Sequence, residues 1–372
     1  MKKIALVSNT SWSIYNFRFG IMKALRDAGH IVVAIAPYDK YSEIIEKEGF
    51  EYRDVYIDNR GTNPINDIKT IIDLYTILRD IRPNIILSFT IKPNIYGNIA
   101  ASLLNIKTIN NISGLGTVFI RESIVTKIVK FLYKYALTKS LKVFFQNKED
   151  MNLFVEKNLI CATKCDLLPG SGIDILKFVP VNYQHHDNLF RFIMIARMLW
   201  DKGVGEYVEA ARMIKAKYQH VKFYLLGFLE VDNPSAISKE QMDAWVDEGV
   251  VEYLGVSDKV YEEIAKVDCV VLPSYREGTP RALLEAASMA KPIITTDAPG
   301  CRDVVNDCVN GYLCKVKDAK DLADKMEKMI NLSVNERRAM GKAGREKMIR
   351  EFDEKIVINK YLETINNVLK TQ

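Results

Sequence analysis

A chain of 372 residues is too long for one ordinary domain and suits two of about 180 residues each. Hydrophobic residues make up 48% and charged residues 27%, a globular composition that excludes a disordered chain. The net charge of +5 is modest, and no aromatic-basic motif of an RNA or DNA reader is present, which argues against nucleic acid as a partner.

The opening MKKIALVSNT starts basic, but its apolar run Ile4–Val7 stops short of the roughly 7–15 residues of a signal region and reads as a buried strand. No stretch approaches the roughly 20 apolar residues of a membrane span, so the chain is expected to be cytoplasmic, soluble or peripheral. A polar loop Ser8–Arg18 leads to a helix ending near Ala28 and Gly29, and His30–Ala36 is the next strand, closed by Pro37. Ile85–Phe89, Thr108–Ile112 and Val143–Phe145 are further β-rich runs, separated by helical patterns such as Asp67–Arg79 and Ile124–Leu137. Strands alternating with helices imply a parallel sheet covered on both faces.

The pattern then restarts, with strands expected at Phe190–Ala196, Lys222–Leu226, Val251–Leu254, Cys269–Leu272 and Pro292–Thr295. The polar, aperiodic stretch Pro180–Asn188 is the candidate linker, and a last helix at about Glu354–Leu369 follows a break near Phe352. The expected organisation is α/β throughout: residues 1–180 as one Rossmann-like domain, 181–352 as a second, and 353–372 as a terminal helix. Two such domains in tandem make a cleft, where ligands of these folds bind.

Charge divides unevenly. Residues 1–180 carry 24 Lys and Arg against 17 Asp and Glu, a net of +7, while residues 181–372 carry 28 against 30, a net of −2. The first half is therefore the one suited to an anionic surface. The six cysteines form no Cys-x-x-Cys pair and have no His in ligand spacing, which fits free thiols in a reducing compartment and no metal site.

The strongest local signal lies in Val271–Gly300. A buried strand ends at Pro273, a short loop presents Glu277 and Gly278, and a helix starts near Pro280 with Glu285 about one turn in. A helix start supplies backbone N–H groups and a positive dipole end, an anion site, and Gly278 lets the backbone approach a ligand closely. Carboxylates beside an anion site suit a nucleotide sugar, whose diphosphate meets the helix end while its hydroxyls meet Glu277 and Glu285. A solvated acidic loop before an ordinary helix is the plainer reading of the same residues. A second signal, Met194–Ala211, puts Arg197 and Lys202 on a loop between strand and helix. Two cations there can neutralise a diphosphate, or they are a surface charge pair.

With these pieces in order, the chain resembles the large GT4 family of retaining glycosyltransferases, which have a GT-B fold. The matching pieces are Arg197 with Lys202-Gly203, Tyr253-Leu254-Gly255, Asp268 before VVLPS, Glu277-Gly278 through Glu285-Ala286, Lys291-Pro292, Gly300 and Asn310-Gly311. SNTSWSIYNFRFGIMKAL and LLPGSGID carry a weaker likeness in the first half. The resemblance implies two Rossmann-like domains facing across a cleft, an acceptor-side domain first and a donor-binding domain second, with the last helix crossing back to the first. It implies that Arg197 and Lys202 bind the donor diphosphate and that Glu285 holds the ribose hydroxyls. It further implies that Glu277 contacts the transferred sugar, that the backbone of Thr279, Pro280, Arg281 and Ala282 approaches the donor, and that Gly255 and Val256 lie at the base. Catalysis is expected of Glu277, Arg197 and Lys202, with retention, no cofactor and no bound divalent metal.

Many members of the family carry a His near the reacting centre of the first domain. This chain has only His30, His185, His186 and His220, none in a suitable loop. Thr90-Ile91-Lys92 and Asn111-Ile112-Ser113-Gly114-Leu115-Gly116 stand where such a His would be. On the acceptor side, Ser11, Ser13, Asn16 and Arg18 either bind donor phosphate or acceptor or simply cap a helix start. Ser113 and Gly114 either let a backbone approach the acceptor or form a tight turn, and Lys92 is a candidate contact for an anionic acceptor.

Arg121–Lys142 holds six cations against one Glu, interleaved with apolar residues. On a helix, Ile124, Ile128, Phe131, Leu132 and Tyr135 share a face with Lys127, Lys130 and Lys134 around it. Such a helix either lies on anionic lipid or packs its apolar face into a core. SWSIYNFRFGIMKAL, ISGLGTVF, IARMLWDKGVGEY and DNPSAIS are similar to segments of bacterial transferases that extend oligosaccharides on a polyprenyl diphosphate. That likeness implies a UDP-sugar donor (hexose or N-acetylhexosamine) and a lipid-linked saccharide acceptor in surface-glycan or protein-glycan assembly. It also implies a peripheral position at the cytoplasmic face of the inner membrane, held by the basic first domain. The competing readings are a sugar-nucleotide epimerase or hydrolase on the same fold and a non-catalytic partner subunit. The presence of Arg197, Lys202, Glu277 and Glu285 together argues against the latter.

Overall fold

The computed structural model describes residues 1–58, 63–115, 124–183 and 187–370. Its contacts divide the chain into two units, Met1–Gly172 with Glu354–Gln372, and Ile173–Asp353. The first boundary therefore falls ahead of the polar Pro180–Asn188 stretch, of which residues 184–186 lie outside the described residues. The reason is local bonding: the Phe178 carbonyl accepts from Ser288 Oγ and Arg345, and the Ile175 carbonyl accepts from Arg345. The segment before the expected linker is thus already tied to the second unit.

The first unit alternates β1 (Lys3–Val7), α1 (Ser11–Phe17), α2 (Phe19–Asp27), β2 (Ile31–Ile35), α3 (Lys40–Lys47), β3 (Glu51–Arg53), α4 (Pro64–Ile81) and β4 (Ile85–Phe89). It continues with α5 (Asn98–Leu103), β5 (Lys107–Ile112), α6 (Ile124–Thr138), β6 (Lys142–Phe145), α7 (Lys148–Glu156) and β7 (Cys165–Leu167). Among the described residues these strands form a parallel sheet in the order β3-β2-β1-β4-β5-β6-β7. Alternate side chains of one strand feed two cores, as the pleat requires: Ala5 and Val7 of β1 pack with α4 to α7, while Ile4 and Leu6 pack on the other face.

The second unit runs β8 (Phe190–Ile195), α8 (Val204–Lys215), β9 (Val221–Leu226), α9 (Lys239–Asp247), β10 (Glu252–Tyr253), α10 (Val260–Ala265) and β11 (Cys269–Leu272). It closes with α11 (Arg281–Ser288), β12 (Ile293–Thr296), β13 (Gly311–Cys314), α12 (Ala319–Asn331) and α13 (Val334–Lys347). Its sheet is also parallel, in the order β10-β9-β8-β11-β12-β13. Both units are thus doubly wound, and in each the winding reverses beside the first strand: between β1 and β4, and between β8 and β11.

The last helix, α14 (Glu354–Lys370), packs on α2 of the first unit. Val357, Tyr361 and Ile365, spaced as one helical stripe, are buried there. The Tyr361 ring meets Phe144 and Phe89 at 5.1 and 6.1 Å between centroids, its hydroxyl accepts from Asn111 Nδ2, and Lys360 pairs with Asp166 at 2.8 Å.

In α6, Tyr133, Ala136 and Leu137 are buried, whereas Ile128, Phe131 and Tyr135 are exposed. The helix therefore packs through one face and turns a second apolar face outward. Residues 121–123 of the basic segment, and Gly116 before it, lie outside the described residues. Among the described residues no helix is long and apolar enough to cross a membrane.

Because α14 completes the core around β4 and β6, Tyr361→Ala should destabilise the first unit by about 3 kcal/mol. Amide exchange on peptides from β1 and β4, followed through a urea series, measures this directly. Unchanged protection would show that α14 is dispensable to that core.

Candidate active site

In a doubly wound sheet the loops on either side of the winding reversal diverge and leave a crevice at the carboxyl ends of the strands. In the second unit those loops follow β8 and β11. The first carries exposed Arg197, then a single 3₁₀ turn Trp200–Lys202, then Gly203. Gly203 has φ 78°, and a Cβ there would collide with the Pro273 carbonyl, so the loop lies directly against the end of β11. The Asp201 carbonyl accepts from the Tyr275 N–H at 3.0 Å and from Ser274 Oγ at 3.3 Å. These bonds bring Lys202 Nζ onto the Glu277 carboxylate, with the two side chains only 18% and 15% exposed.

The Glu277 turn is held from its other side as well. Its N–H donates to the Pro299 carbonyl at 3.1 Å. Gly300, at φ 78°, packs so closely that a Cβ would strike the carbonyls of Glu277 and Gly278. Gly278 is buried, Thr279 is half-buried, and buried Pro280 opens α11 without a side-chain cap and with no acidic residue in the first turn. The positive end of the α11 dipole therefore lies beside the Lys202–Glu277 pair. Cys301, just behind, has its thiol pushed up to about 12, first by burial and then by the Glu277 charge.

Glu285 lies one turn into α11. Its side chain is 13% exposed, and Arg281 Nε donates to its Oε1 at 3.0 Å. Burial raises its pKa, against the charge and hydrogen bond of Arg281 and the charge of Lys177. Toward β10, Gly227 lies so close to the Ala196 carbonyl that a Cβ would clash, and its N–H donates to the Gly255 carbonyl at 2.8 Å. Gly255 has φ 73°, and Val256 beyond it is exposed. Arg197, Lys202, Gly255, Val256, Glu277, Gly278, Thr279, Pro280, Arg281, Ala282 and Glu285 thus share the carboxyl edge of one sheet.

Sequence reasoning missed the residues that hold this edge in place. Ser235 receives the N–H of Trp200 on its carbonyl and that of Asp201 on its hydroxyl, and Leu199 bridges to Ala236. The segment after β9 is therefore a strap over the Lys202 turn. The Tyr275 hydroxyl donates to Glu206 of α8 at 2.6 Å, locking the β11 loop to the helix that follows Lys202. No local spacing marks either contact. Lys177 was missed as well, because it precedes the second sheet and reaches α11 only through the clamp of Arg345 on Ile175 and Phe178.

The acceptor-side candidates lie at the carboxyl edge of the first sheet, after β1, β4 and β5. Ser11 is buried and its hydroxyl donates to Asp39, while Thr10 caps α1 by accepting the Ser13 N–H at 3.1 Å. Asn16 Nδ2 donates to the Trp12 carbonyl. Arg18 is 4% exposed with its guanidinium over the Phe89 ring, 4.5 Å from the centroid. Lys92 pairs with Asp67 of α4 at 2.7 Å. Ser113 and Gly114 are half-buried, and Gly114 has φ 124°. Thr90, at the end of β4, holds a left-handed φ of 70°, a strained setting for a β-branched residue. Among the described residues no cluster of three His, Cys, Asp or Glu side chains is placed to hold a metal ion.

The family description "Glycosyl transferases group 1" matches residues 180–347, and "Glycosyl transferase 4-like" matches residues 3–147. The chain is 30% identical over 388 residues to the N,N'-diacetylbacillosaminyl-diphospho-undecaprenol alpha-1,3-N-acetylgalactosaminyltransferase of Campylobacter jejuni, covering 99% of each protein. The chain belongs to the group 1 glycosyltransferases. This glycosyltransferase is also 26% identical over 315 residues to the Escherichia coli UDP-Gal:alpha-D-GlcNAc-diphosphoundecaprenol alpha-1,3-galactosyltransferase, covering 79% of this chain and 78% of that one. Among solved structures, Anabaena HepE in complex with UDP and glucose superposes with a TM-score of 0.80 at 16% identity, covering 98% of this chain and 100% of that one. Sucrose-phosphate synthase from Thermosynechococcus elongatus gives 0.83 at 17% identity over the full length of both. At that identity the likeness is one of fold, the GT-B arrangement of two Rossmann-like units.

The raised pKa of Glu285 sets a sign for stability. Between its unfolded value of about 4.3 and its higher folded value, the native state binds more protons, so stability from this group falls as pH rises through that window. The glycosyltransferase carrying Glu285→Gln should therefore lose part of that pH dependence and melt no lower than wild type at pH 7. Thermal midpoints across pH 4–8 measure it, and an unchanged slope would contradict the burial account.

Proposed function

We propose that this glycosyltransferase moves a hexose or N-acetylhexosamine from a UDP-sugar onto a polyprenyl-diphosphate-linked saccharide, with retention and without a divalent metal. One observation carries the reading: a shielded Lys202–Glu277 pair bridges the loops over the winding reversal of the second sheet, beside the start of α11, which has no side-chain cap, with Arg197 exposed on the same loop as Lys202. Lys202, Arg197 and the helix start are the groups suited to a diphosphate. Glu277, fixed by Lys202 and by the Gly300 contact, is suited to accept from hydroxyls of the transferred sugar. Glu285, one turn further along α11, is suited to the ribose diol, and the edge at Gly255 and Val256 to the base.

In the proposed reaction the bond from the sugar's anomeric carbon to the β-phosphate oxygen breaks as a bond forms to the acceptor oxygen on the same face. The acceptor proton passes to the departing phosphate, so no protein base is required. Charge gathers on that phosphate, where Lys202 and Arg197 stabilise it more strongly in the transition state than in the bound donor. The same two cations supply the neutralisation that a metal ion would otherwise provide.

The acceptor class is supported by the Campylobacter and Escherichia coli relatives, both of which act, by their names, on sugars carried on undecaprenyl diphosphate. The donor class is supported by the Escherichia coli relative, named for UDP-Gal, and by HepE, solved with UDP. A lipid-borne acceptor also accounts for the surplus of cations in residues 1–180, which suits contact with the anionic cytoplasmic face of the inner membrane, including through the segment 121–142.

Glu277→Ala should reduce transfer to the detection limit, with a loss of stability too modest to unfold the second unit. Lys202→Ala should weaken UDP binding about tenfold or more, the loss of one charge-assisted contact. Transfer assays with UDP-sugars and calorimetric titration of UDP check both. Wild-type rates in the two variants would remove the assignment, and donor turnover without acceptor would point to a hydrolase or epimerase instead.

A further inference from the structure

The first unit carries two outward apolar stripes that its core does not use. On α4, Ile65 is 75% exposed and Ile68 and Ile72 are 56% exposed; on α6, Ile128, Phe131 and Tyr135 are 53%, 70% and 60% exposed. Both sets follow the same i, i+3, i+7 spacing, so each occupies one face of its helix. The opposite faces are the buried ones, with Thr70, Leu74, Leu78 and Ile81 on α4 and Tyr133, Ala136 and Leu137 on α6.

The two stripes also belong to one layer. Both α4 and α6 pack on the π-turn Pro93–Gly97 and on α5. Each returns from one parallel strand to the next, so each starts at the carboxyl edge of the sheet and runs against the strands. A scattered exposed isoleucine needs no explanation, but a three-residue apolar stripe on the outer face of each of two helices in one layer is surface that water does not favour.

The charges at its margin select the occupant. Lys69 lies beside the isoleucines with its Nζ 4.2 Å from the centroid of the Tyr56 ring, Lys127 and Lys134 are exposed along α6, and Lys139 is exposed just past its end. The nearest acid on α4, Asp67, is tied to Lys92. Asp73 is half-buried, and Asp80 lies at the far end of α4 beside Arg79. A second copy of the chain on this face would bring lysine margin against lysine margin, whereas an anionic bilayer offers both an apolar interior and a complementary surface charge.

We propose that the Ile65–Ile68–Ile72 face of α4 inserts into an anionic lipid surface together with the Ile128–Phe131–Tyr135 face of α6. Two helices, and not a single basic segment, then hold the first unit on the membrane. The inference rests on the lipid-linked acceptor reading above and extends it to a helix with no basic signature.

The test is co-sedimentation of the full chain with vesicles of phosphatidylglycerol and phosphatidylethanolamine, comparing wild type, I65Q/I68Q/I72Q and K127Q/K134Q. The glutamine triple keeps good helix formers at exposed positions, and circular dichroism confirms its fold. Its vesicle affinity should fall at least about tenfold and its binding at high salt should vanish. K127Q/K134Q should lose binding mainly at low salt. In an I68W variant, brominated lipid should quench the added fluorescence. Wild-type binding by the triple, with loss in K127Q/K134Q, would overturn this inference and leave the basic-segment reading standing. No vesicle binding by wild type would remove both. A wild-type dimer that the triple converts to monomer in sedimentation would reassign the face to a protein interface.

Discussion

The ion pair of Lys202 with Glu277 is the constraint on which the second unit's edge depends. Two loops that diverge from adjacent strands are drawn together over the gap between them, and each is braced so that the pair forms without either side chain swinging freely. Gly203 seats one loop on Pro273, Gly300 seats the other against Glu277, and the Ser235 strap covers the Lys202 turn. With both side chains largely shielded, removing one leaves a poorly solvated charge, which is costly. Within the pair the charge of Lys202 is balanced without a ligand. In the proposed donor site, an arriving diphosphate competes for a lysine that is already oriented.

Much of this edge was legible in the sequence because its parts are local. A strand, a short loop with a carboxylate and a glycine, and a helix start can be read within Val271–Glu285, and Arg197 with Lys202 within one loop. The central strands were legible for a similar reason, since strands buried on both faces read as continuous apolar runs. The missed strands lie at sheet margins, although the margin strand β10 was among those expected. β3 and β7 have three residues each and include charged side chains, and the four-residue β13 opens on a glycine at the margin of its sheet, so none reads as a continuous apolar run. The boundary between the units was displaced because Arg345, far along the chain, ties Ile175 and Phe178 to α11, and no composition signal reports a clamp of that range. Tyr275 with Glu206, and Ser235 with the Lys202 turn, were hidden for the same reason.

The first unit shows the reverse balance. Its sheet was readable, but its candidate acceptor residues turn out to be engaged in local bonding: Ser11 with Asp39, Asn16 with Trp12, Lys92 with Asp67. The Thr10 cap favours the capped-helix reading for Ser11 and Ser13, and Thr90, a β-branched residue held at a left-handed φ, is the strained point of that edge. What the pattern in α6 did disclose is an apolar face beside lysines. Only the structure reveals that α4 turns the same spacing of isoleucines outward from the same layer.

The measurement that bears most directly on this account is a crystal structure of the chain with UDP. The account predicts the diphosphate against Lys202, Arg197 and the first turn of α11, the ribose hydroxyls on Glu285, and the uracil along the edge at Gly255 and Val256. UDP bound at the carboxyl edge of the first sheet instead, with the Lys202–Glu277 edge empty, would contradict it.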